Sequence, residues 1–590
     1  MRRVMNPRAR RAAIANVRPQ LDGGRFPIRR LIGEALVVEA DVFLENQEDI
    51  AAILQFRRQG EPHFKSVPML AIGNDRWRGI VRFDATGIFQ YTVAATSALV
   101  ADQLSTTSTL PDYGSYSPLL EVIVDPDLAS CGAWYQVFPR SCSREAGRHG
   151  TFDDLERQLR RIAAMDFDVA YIPPIHPIGT TRRKGKNNAP AAGLDEPGSP
   201  WAVGAKEGGH KSVHPQLGTV AEFSRLVRRS RAMGLEIALD LAFHCSPDHP
   251  YVREHPDWFR RHTDGSFECP IDPPFVYQDV VAFDFACSDW LALWTELYSI
   301  VDFWIRKGIR VLRMDNPHSK PFPFWEFLLH RLSSQHPEVV VLSEGLTRPR
   351  VMHHLAKLGF SQSYDHFPWK SSKAELVEYY SNLVVGDPVE YFRPILWANT
   401  AQVLPRMLQV GGVGSFVVRA TLAAMLGASY GIYGPPFELC LDQTQEPAGQ
   451  EYRDSEQYEL RSWDTRGAER MERVLSQLNR IRRENPALQQ NRSLTFHSVD
   501  NDDILVFSKT SEDGENRILV VVNLDPCARR SGWVTLELEA LGLGPTEPFQ
   551  VGDLLDGSTY RWFGARNYVE LDPGRGQHAH VFRLSRSFAL

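Results

Sequence analysis

Hydrophobic and polar positions follow different patterns in different parts of the chain, and each pattern predicts a different kind of domain. From Arg18 to about Val93, short apolar runs alternate with polar residues between turn residues, as in the stretch 36–43. An alternation of period two with frequent turns predicts a small antiparallel β-sandwich. The serine- and threonine-rich stretch 105–109 that follows is typical of a linker.

Between about Ala133 and Tyr433, strand-length apolar runs alternate with segments of helical period, which is typical of parallel βα units. The segment Leu293–Lys307, for example, carries its apolar residues on one helical face and is followed by Gly308 as a stop. Eight candidate strands together predict a closed (β/α)8 barrel. They are Ala133–Phe138, Val169–Ile175, Glu236–Phe243, Ile309–Asp315, Val339–Glu344, Ser361–Phe367, Ile395–Asn399 and Ser429–Tyr433.

The segments outside these units complete the predicted architecture. The stretch 178–215 is rich in Gly, Pro, Lys and Asn and is too long for a plain connection, so it predicts a subdomain over the barrel mouth. From about Leu494 the short β-rich runs return, most clearly at 518–524. We predict a multidomain protein, a (β/α)8 TIM barrel (119–485) flanked by N-terminal (1–118, with the linker) and C-terminal (486–590) antiparallel β-sandwiches.

Composition narrows the class of protein without identifying a function. A chain of 590 residues is too long for a single core. Its net charge of −6 gives no general attraction to nucleic acid or anionic membranes, and no apolar run has membrane-spanning length. Seven scattered cysteines without a C-x-x-C pair predict a cytoplasmic protein without a disulfide framework or structural zinc. Five arginines among the first twelve residues predict a solvated arm, because no signal-peptide core follows them.

Two of the candidate strands end on a carboxylate. In the first, the two-residue period places Arg313 on the same face as Asp315, and the guanidinium favours an ionised carboxylate. In the second, Glu344 ends an apolar strand, where desolvation raises the pKa of a carboxyl group. For either acid alone, a loop-capping role is the plainer interpretation. Together, an ionised and a protonated carboxyl group are what glycoside chemistry requires.

These segments resemble the short regions that define glycoside hydrolase family 13, the α-amylase superfamily. The matching segments are 240–245, 308–318 and 342–344, and a fourth is expected near 397–402. Within the superfamily, most of the chain is similar to the bacterial maltosyltransferases that extend α-1,4-glucans with maltose 1-phosphate as donor. The segments that carry this similarity are 23–27, 73–79, 173–179, 184–188, 245–250, 315–321 and 523–526.

The resemblance implies a retaining double displacement without metal or cofactor. Asp315 would attack the anomeric carbon, and Glu344 would protonate the leaving group and then activate the acceptor. Arg313 and Asp240 would orient the nucleophile and bind the sugar. Lys186, Ser246, Tyr277 and Asn316 fall where the family contacts the phosphate or first sugar of the donor, although each alone is equally compatible with a surface or loop-capping role. We also place Asp272, Phe275 and His318 among the substrate-binding residues.

The fourth region departs from the family at the third catalytic acid. Where the family has an acid after Asn-Thr-Pro, this chain has Gln402 after Asn399, Thr400 and Ala401. That acid binds the sugar hydroxyls beside the reacting carbon, so its loss is expected to lower the rate by about 10²–10³. Asp365, at the end of the preceding strand, is a candidate substitute.

The donor site departs as well. Relatives typically have Asn-Pro-Pro-Lys-Lys-Tyr-Gln-Asp where this chain has the stretch 272–279, so Asp272 replaces an amide and Phe275 an ammonium. Both changes predict weak binding of a phosphate. Maltose 1-phosphate is therefore a doubtful donor unless Arg182 or Arg183 of the mouth loop supplies the missing charge.

A helical insertion that the relatives use for pairing is absent between Val93 and Pro118, which predicts a monomer or a dimer through another surface. We predict a glycosyltransferase that moves a glucosyl or maltosyl unit to an α-glucan or maltooligosaccharide acceptor. One alternative is a hydrolase or transglycosylase acting on an unphosphorylated α-glucoside, for which Phe275 offers a stacking surface. The other is a glycan-binding pseudoenzyme, which Gln402 favours and the retained acids disfavour. The natural donor and the acceptor length stay open.

Overall fold

The computed structural model describes residues 12–44, 50–97, 114–272, 275–447 and 449–586. An N-terminal unit of two packed sheets comes first. One sheet has the order β1-β3-β7-β6 and the other β2-β10-β8-β4-β5, with β9 beside β8. The strands are β1 (Ala13–Arg18), β2 (Ile28–Leu31), β3 (Ala35–Phe43), β4 (Ile50–Arg58), β5 (Lys65–Pro68), β6 (Leu70–Gly73), β7 (Arg76–Arg82), β8 (Gly87–Ser97), β9 (Gly114–Ser115) and β10 (Leu120–Asp125).

The period-two pattern that predicted this sandwich is visible in its core. Along β3, every second side chain is buried, from Leu36 to Val42. The unit extends to Asp125 rather than to the predicted boundary at 118, because β10 lies between β2 and β8 and completes their sheet. The predicted linker 105–109 lies outside the described residues, as does the arginine-rich arm.

Eight parallel strands close into a barrel in the order of the chain, as predicted. Their residues are buried on both sides, as expected for strands with a packed interior and a layer of helices outside. The barrel strands are β11 (Gly132–Gln136), β12 (Val169–Ile172), β13 (Glu236–Leu241), β16 (Val311–Met314), β17 (Val340–Ser343), β18 (Gln362–Tyr364), β19 (Pro394–Trp397) and β20 (Ser429–Tyr433). A separate ribbon consists of β14 (Ile271–Asp272) and β15 (Phe275–Val276).

The helices surround the barrel or follow its last strand. Three of them, α1, α2 and α7, begin with a capping box in which Thr151, Thr219 or Ser372 exchanges hydrogen bonds with an acid three residues later. None of the helices within the described ranges is long and apolar enough to cross a membrane. The helices are α1 (Phe152–Ala164), α2 (Val220–Ala232), α3 (Pro250–Glu254), α4 (Trp290–Arg306), α5 (Phe322–Gln335), α6 (Pro349–Lys357), α7 (Lys373–Leu383), α8 (Arg406–Val410), α9 (Gly412–Leu426), α10 (Gly434–Glu438) and α11 (Glu469–Glu484).

The long connection from β12 to α2 contains the stretch 178–215, and only a 3-10 turn at Lys186–Asn188 interrupts its irregular path. Bonds to the segment that follows β13 hold it in place. The backbone and hydroxyl groups of Thr180 and Thr181 donate to Asp248, and the Ser246 hydroxyl donates to the Gly204 carbonyl. The predicted mouth loop is therefore anchored beside the ends of β12 and β13.

The C-terminal unit is again a β-sandwich, with sheet orders β21-β23-β24-β29-β26-β27 and β22-β25-β28. Alternate apolar side chains of both sheets form its core, including Val506, Val521, Val534 and Val569. Its strands are β21 (Thr495–Phe496), β22 (Ser498–Val499), β23 (Ile504–Thr510), β24 (Arg517–Asn523), β25 (Arg530–Thr535), β26 (Pro548–Asp553), β27 (Thr559–Phe563), β28 (Arg566–Leu571) and β29 (Ala579–Arg586).

Candidate active site

One buried guanidinium holds three carboxyl groups together at the carboxyl ends of β13, β16 and β17. The Arg313 side chain is only 1% exposed. Its Nη1 lies 2.8 Å from Asp315 Oδ1 and 2.9 Å from Asp240 Oδ2, and its Nη2 lies 2.9 Å from Glu344 Oε1. The structure therefore brings together Asp240, Arg313, Asp315 and Glu344, all four of which the sequence analysis named as site residues, on the face where barrels of this type carry their chemistry.

The surroundings of Asp315 favour its charged form. Burial alone would raise the pKa of this carboxyl, but the positive charges of Arg313 and Lys320 outweigh burial and hold the pKa below its usual value. Asp315 is therefore ionised at neutral pH. An ionised carboxylate with one oxygen bonded to a guanidinium can act as a nucleophile through its other oxygen.

Glu344 has the opposite tendency although it contacts the same guanidinium. Burial and the negative charge of Asp315 raise the pKa of Glu344 to about 7, against the opposing effect of Arg313. Its Oε2 accepts a hydrogen bond from the backbone N–H of Asn316 at 3.1 Å. A carboxyl group with a pKa near neutrality can donate a proton in one step and accept one in the next.

Asp240 lies opposite Arg313 in the pairing of β13 with β16. Besides Arg313, its Oδ2 accepts hydrogen bonds from the hydroxyl of Tyr171 at 2.7 Å and from the indole N–H of Trp201 at 3.1 Å. Burial raises its pKa to about 6. Because Trp201 belongs to the mouth loop, Asp240 connects that loop to Arg313 and the other two carboxyl groups.

A tight turn follows Asp315 and is held by a buried lysine. Asn316 has a φ of 43°, in the left-handed region, and begins the 3-10 turn Pro317–Ser319, which contains His318. The Lys320 ammonium donates hydrogen bonds to the backbone carbonyls of Asp315 at 2.9 Å and Asn316 at 3.1 Å. Lys320 therefore stabilises the conformation in which the Asn316 N–H points at Glu344. Lys320 lies within the shared segment 315–321, which was the signal available from the sequence.

The residues predicted to contact the donor already have protein partners. The Ser246 side chain is fully buried, and its hydroxyl donates to the Gly204 carbonyl. Lys186 is half exposed, with its ammonium 3.1 Å from Asp454 and 3.4 Å from Glu459. These two carboxylates reduce the net positive charge that Lys186 could offer to an anion.

Tyr277 and the neighbouring ribbon lie beside a second lysine that the site prediction left out. Lys184 is buried, donates to Asn188 at 2.6 Å, and places its ammonium 5.2 Å from the ring centre of Tyr277. Asp272 and Phe275 pair across the ribbon. The sequence offered a signal for this residue, because Lys184 lies two residues before the predicted Lys186 in the same Lys-Gly-Lys stretch.

The two mouth-loop arginines differ in how many hydrogen bonds they form with the protein. Arg183 donates to the backbone carbonyls of Ile178, Gly179 and Glu196, so it holds the loop together. Within the described ranges Arg182 has no carboxylate partner, and its Nη1 lies 3.7 Å from the Cys269 sulfur, just before the ribbon. Of the two arginines, Arg182 is the one available to a ligand.

The geometry can be compared with known proteins. A family model described as "Alpha-1,4-glucan:maltose-1-phosphate maltosyltransferase, domain N/S" matches residues 10–104, and one described as "GLGE, C-terminal" matches residues 496–584. The α-1,4-glucan:maltose-1-phosphate maltosyltransferase of Chlorobaculum tepidum is 41% identical over 649 aligned positions, with 98% of this chain and 97% of that protein covered. The chain belongs to the α-1,4-glucan:maltose-1-phosphate maltosyltransferase family.

Other relatives agree, and solved structures support the fold. A maltosyltransferase of Streptomyces coelicolor is 40% identical, with 98% of this chain and 95% of that protein covered. The maltogenic α-amylase AmyB of Thermotoga neapolitana has a TM-score of 0.61 at 17% identity and covers 78% of this chain, which shows the likeness of fold alone. The Chlorobaculum alignment has more positions than the 590 residues of this chain, so that maltosyltransferase contains segments that this chain lacks.

Gln402 marks the fourth region of this maltosyltransferase chain. It lies in the turn after β19, half-buried, with its backbone N–H donating to the Thr400 hydroxyl at 3.3 Å. Asp365, the candidate substitute for the third acid, already has hydrogen-bond partners on both carboxylate oxygens. Its two carboxylate oxygens accept from the Phe367 N–H at 3.0 Å and the Tyr380 hydroxyl at 2.8 Å, and burial raises its pKa to about 6. A third carboxylate is therefore not supplied by Asp365.

Proposed function

We propose that this protein is a retaining α-maltosyltransferase that extends α-1,4-glucans, as the names of its relatives state. The observation that carries the proposal is the shared guanidinium, which holds an ionised Asp315 beside a Glu344 that titrates near neutrality. Because two nitrogens of one guanidinium hold them, the two carboxyl groups cannot be far apart. A short separation, about 5–5.5 Å, is typical of retaining enzymes, whereas inverting enzymes leave room for a water.

The proposed reaction has two displacements. In the first, a carboxylate oxygen of Asp315 bonds to the anomeric carbon, the bond from that carbon to the leaving oxygen breaks, and Glu344 gives its proton to that oxygen. In the second, Glu344 takes the proton of the acceptor hydroxyl, whose oxygen bonds to the anomeric carbon while the ester to Asp315 breaks. Both acids return to their starting protonation states. Arg313 and Lys320 favour the charged form of Asp315 before the first displacement, and they stabilise the carboxylate that the second displacement restores.

The donor site is where we expect this chain to differ from its relatives. The partners of Lys186 and Ser246, together with Asp272 and Phe275 in the ribbon, support a site with reduced affinity for phosphate. We therefore infer transfer from maltose 1-phosphate with weak donor binding as the first candidate. The second candidate is transfer between unphosphorylated α-glucans or their hydrolysis, which the same two substitutions favour.

Product analysis distinguishes the two candidates. The protein is incubated in turn with maltose 1-phosphate plus maltooligosaccharide, with maltooligosaccharide alone, and with maltose, and products are separated by chain length. The first candidate predicts products longer by two glucose units only when maltose 1-phosphate is present, with release of phosphate. Disproportionation or shortening of maltooligosaccharide without a phosphate donor would support the second. No product in any mixture would contradict both and would favour the glycan-binding pseudoenzyme.

A further inference from the structure

An exposed aromatic pair lies on the outer face of the three-stranded C-terminal sheet. Trp533 on β25 and Tyr568 on β28 are direct cross-strand partners, and they are 44% and 49% exposed. Their ring centres are 5.5 Å apart with the ring planes at 64°. The neighbours of both residues along the strands, Val534 and Val569, point inward and are buried, so the sandwich core does not require either ring.

Hydrogen-bonding groups surround the two rings. The Arg566 guanidinium lies 4.9 Å from the ring centre of Trp533, and the Tyr568 hydroxyl donates to Glu570 at 3.4 Å. Glu570 also forms an ion pair with Arg529. Charges of both signs are therefore present, and this surface favours neither a polyanion nor a polycation. Two rings within a polar surround offer much less apolar area than the roughly 800 Å² per partner of a stable protein interface.

Contacts with the barrel connect this surface to the catalytic face. The backbone N–H of Trp533 donates to Asp500 at 2.6 Å. The carbonyls on either side of Asp500, those of Val499 and Asn501, accept hydrogen bonds from the Lys373 ammonium at 3.2 and 3.0 Å. Lys373 is the first residue of α7, directly after the loop from β18, and such loops lie on the catalytic face of a barrel. The same loop carries Trp369, which is 42% exposed.

We propose that Trp533 and Tyr568 form an outer binding site for an α-1,4-glucan chain, on which the polymeric acceptor rests while its end enters the barrel. Sugar rings present C–H groups on their faces and hydroxyls at their edges. A glucan therefore matches this surface, because the exposed indole and phenol rings can pack against the C–H faces while the polar neighbours bond to the hydroxyls. The choice of α-1,4-glucan rests on the proposed function. The site itself rests on the rings, their exposure and their link to the catalytic face.

Affinity electrophoresis in native gels tests the site without requiring turnover. The full chain and the double variant Trp533→Ala/Tyr568→Ala are run in gels with and without glycogen. A control variant, Phe563→Ala, removes a ring that is 63% exposed on β27 of the other sheet. We expect the apparent dissociation constant for glycogen to rise by about tenfold or more in the double variant and to stay unchanged in the control. Equal retention of the double variant and the unmodified protein would overturn the site.

Two further measurements keep the inference separate from the proposed function. If the double variant does not fold, as judged by its circular dichroism, the two single variants replace it and each is expected to show part of the loss. Gels with a soluble β-1,4-glucan in place of glycogen should retard none of the proteins, and equal retardation there would overturn the assignment to α-1,4-glucan. Ring-dependent retention on glycogen by a protein that transfers no maltosyl unit would contradict the proposed function and leave the outer site in place.

Discussion

Replacing Lys320 by methionine should shift the pH dependence of the reaction. The Lys320 side chain is buried, and its ammonium bonds to the carbonyls of Asp315 and Asn316. Its charge lowers the pKa of the Asp315 carboxyl, so the pKa of Asp315 rises when that charge is removed. Activity requires an ionised Asp315 and is lost as the pH falls through that pKa. The acid limb of the rate profile should therefore move to higher pH.

The size of the shift follows from the charge lost. For about 5 Å between ammonium and carboxylate and an effective dielectric constant of about 20, the interaction is worth about 3 kcal/mol, or roughly two pKa units. Relaxation and water entry reduce this, so we expect at least about one unit. Two buried carbonyls also lose a charged donor, and each loss typically costs about 1.5–3 kcal/mol of stability. Part of this cost is offset, because the variant no longer buries a charged ammonium. Methionine keeps the length of the side chain and limits the change to charge and hydrogen bonding.

The assay is the pH dependence of kcat/KM for maltosyl transfer, compared among three variants. Lys320→Arg keeps the charge and should keep the acid limb near its original position. Lys373→Met is the matched control, because Lys373 also donates to two backbone carbonyls but lies in α7, away from the three carboxyl groups. It should lower stability without moving the profile. An unmoved acid limb in Lys320→Met, with activity retained, would refute the electrostatic role of Lys320.

Three further predictions follow from the site. Asp315→Asn should lower turnover by at least about 10⁴ with little change in thermal midpoint, since its amide oxygen still accepts from Arg313, and unaltered turnover would remove Asp315 from the mechanism. Calorimetry should detect little or no binding of maltose 1-phosphate, about 10²–10⁴ weaker than with an intact phosphate site, and Asp272→Asn with Phe275→Lys should strengthen it. Tight binding by the unmodified protein would instead implicate Arg182, whose exchange for Gln should then abolish it. Small-angle scattering should give a monomer or a dimer unlike that of the relatives, and the relatives' dimer shape would contradict this.

The parts of the fold that could be predicted are those fixed by local pattern. All eight barrel strands were located because buried parallel strands are continuous apolar runs between helical segments. The proximity of Arg313 to Asp315 followed from the two-residue period. Strand β10 lies after the predicted boundary at 118, because it is equally apolar and only its pairing with β2 and β8 assigns it to the first unit.

The parts that could not be predicted depend on contacts between distant segments. Lys186 looks like a free cation in the sequence. In the fold, however, its ammonium forms ion pairs with Asp454 and Glu459, which lie more than 250 residues further along the chain. Lys320 looks like a surface lysine after a turn, but the turn that begins at the left-handed Asn316 brings its ammonium to the backbone carbonyl of Asp315. Asp365 has the correct residue type for a third acid, yet both of its carboxylate oxygens already accept hydrogen bonds, from the Phe367 N–H and the Tyr380 hydroxyl.

The central claim, attack by Asp315 with Glu344 as acid and base, is tested most directly by trapping the covalent intermediate. The Glu344→Gln variant is incubated with a fluorinated maltosyl donor whose leaving group needs no protonation, and intact mass and peptide mapping follow. We predict a mass increase of one fluorinated maltosyl unit, located on Asp315, and α-configured product when an acceptor is added to the unmodified enzyme. An adduct on another residue, or product of inverted configuration, would contradict it.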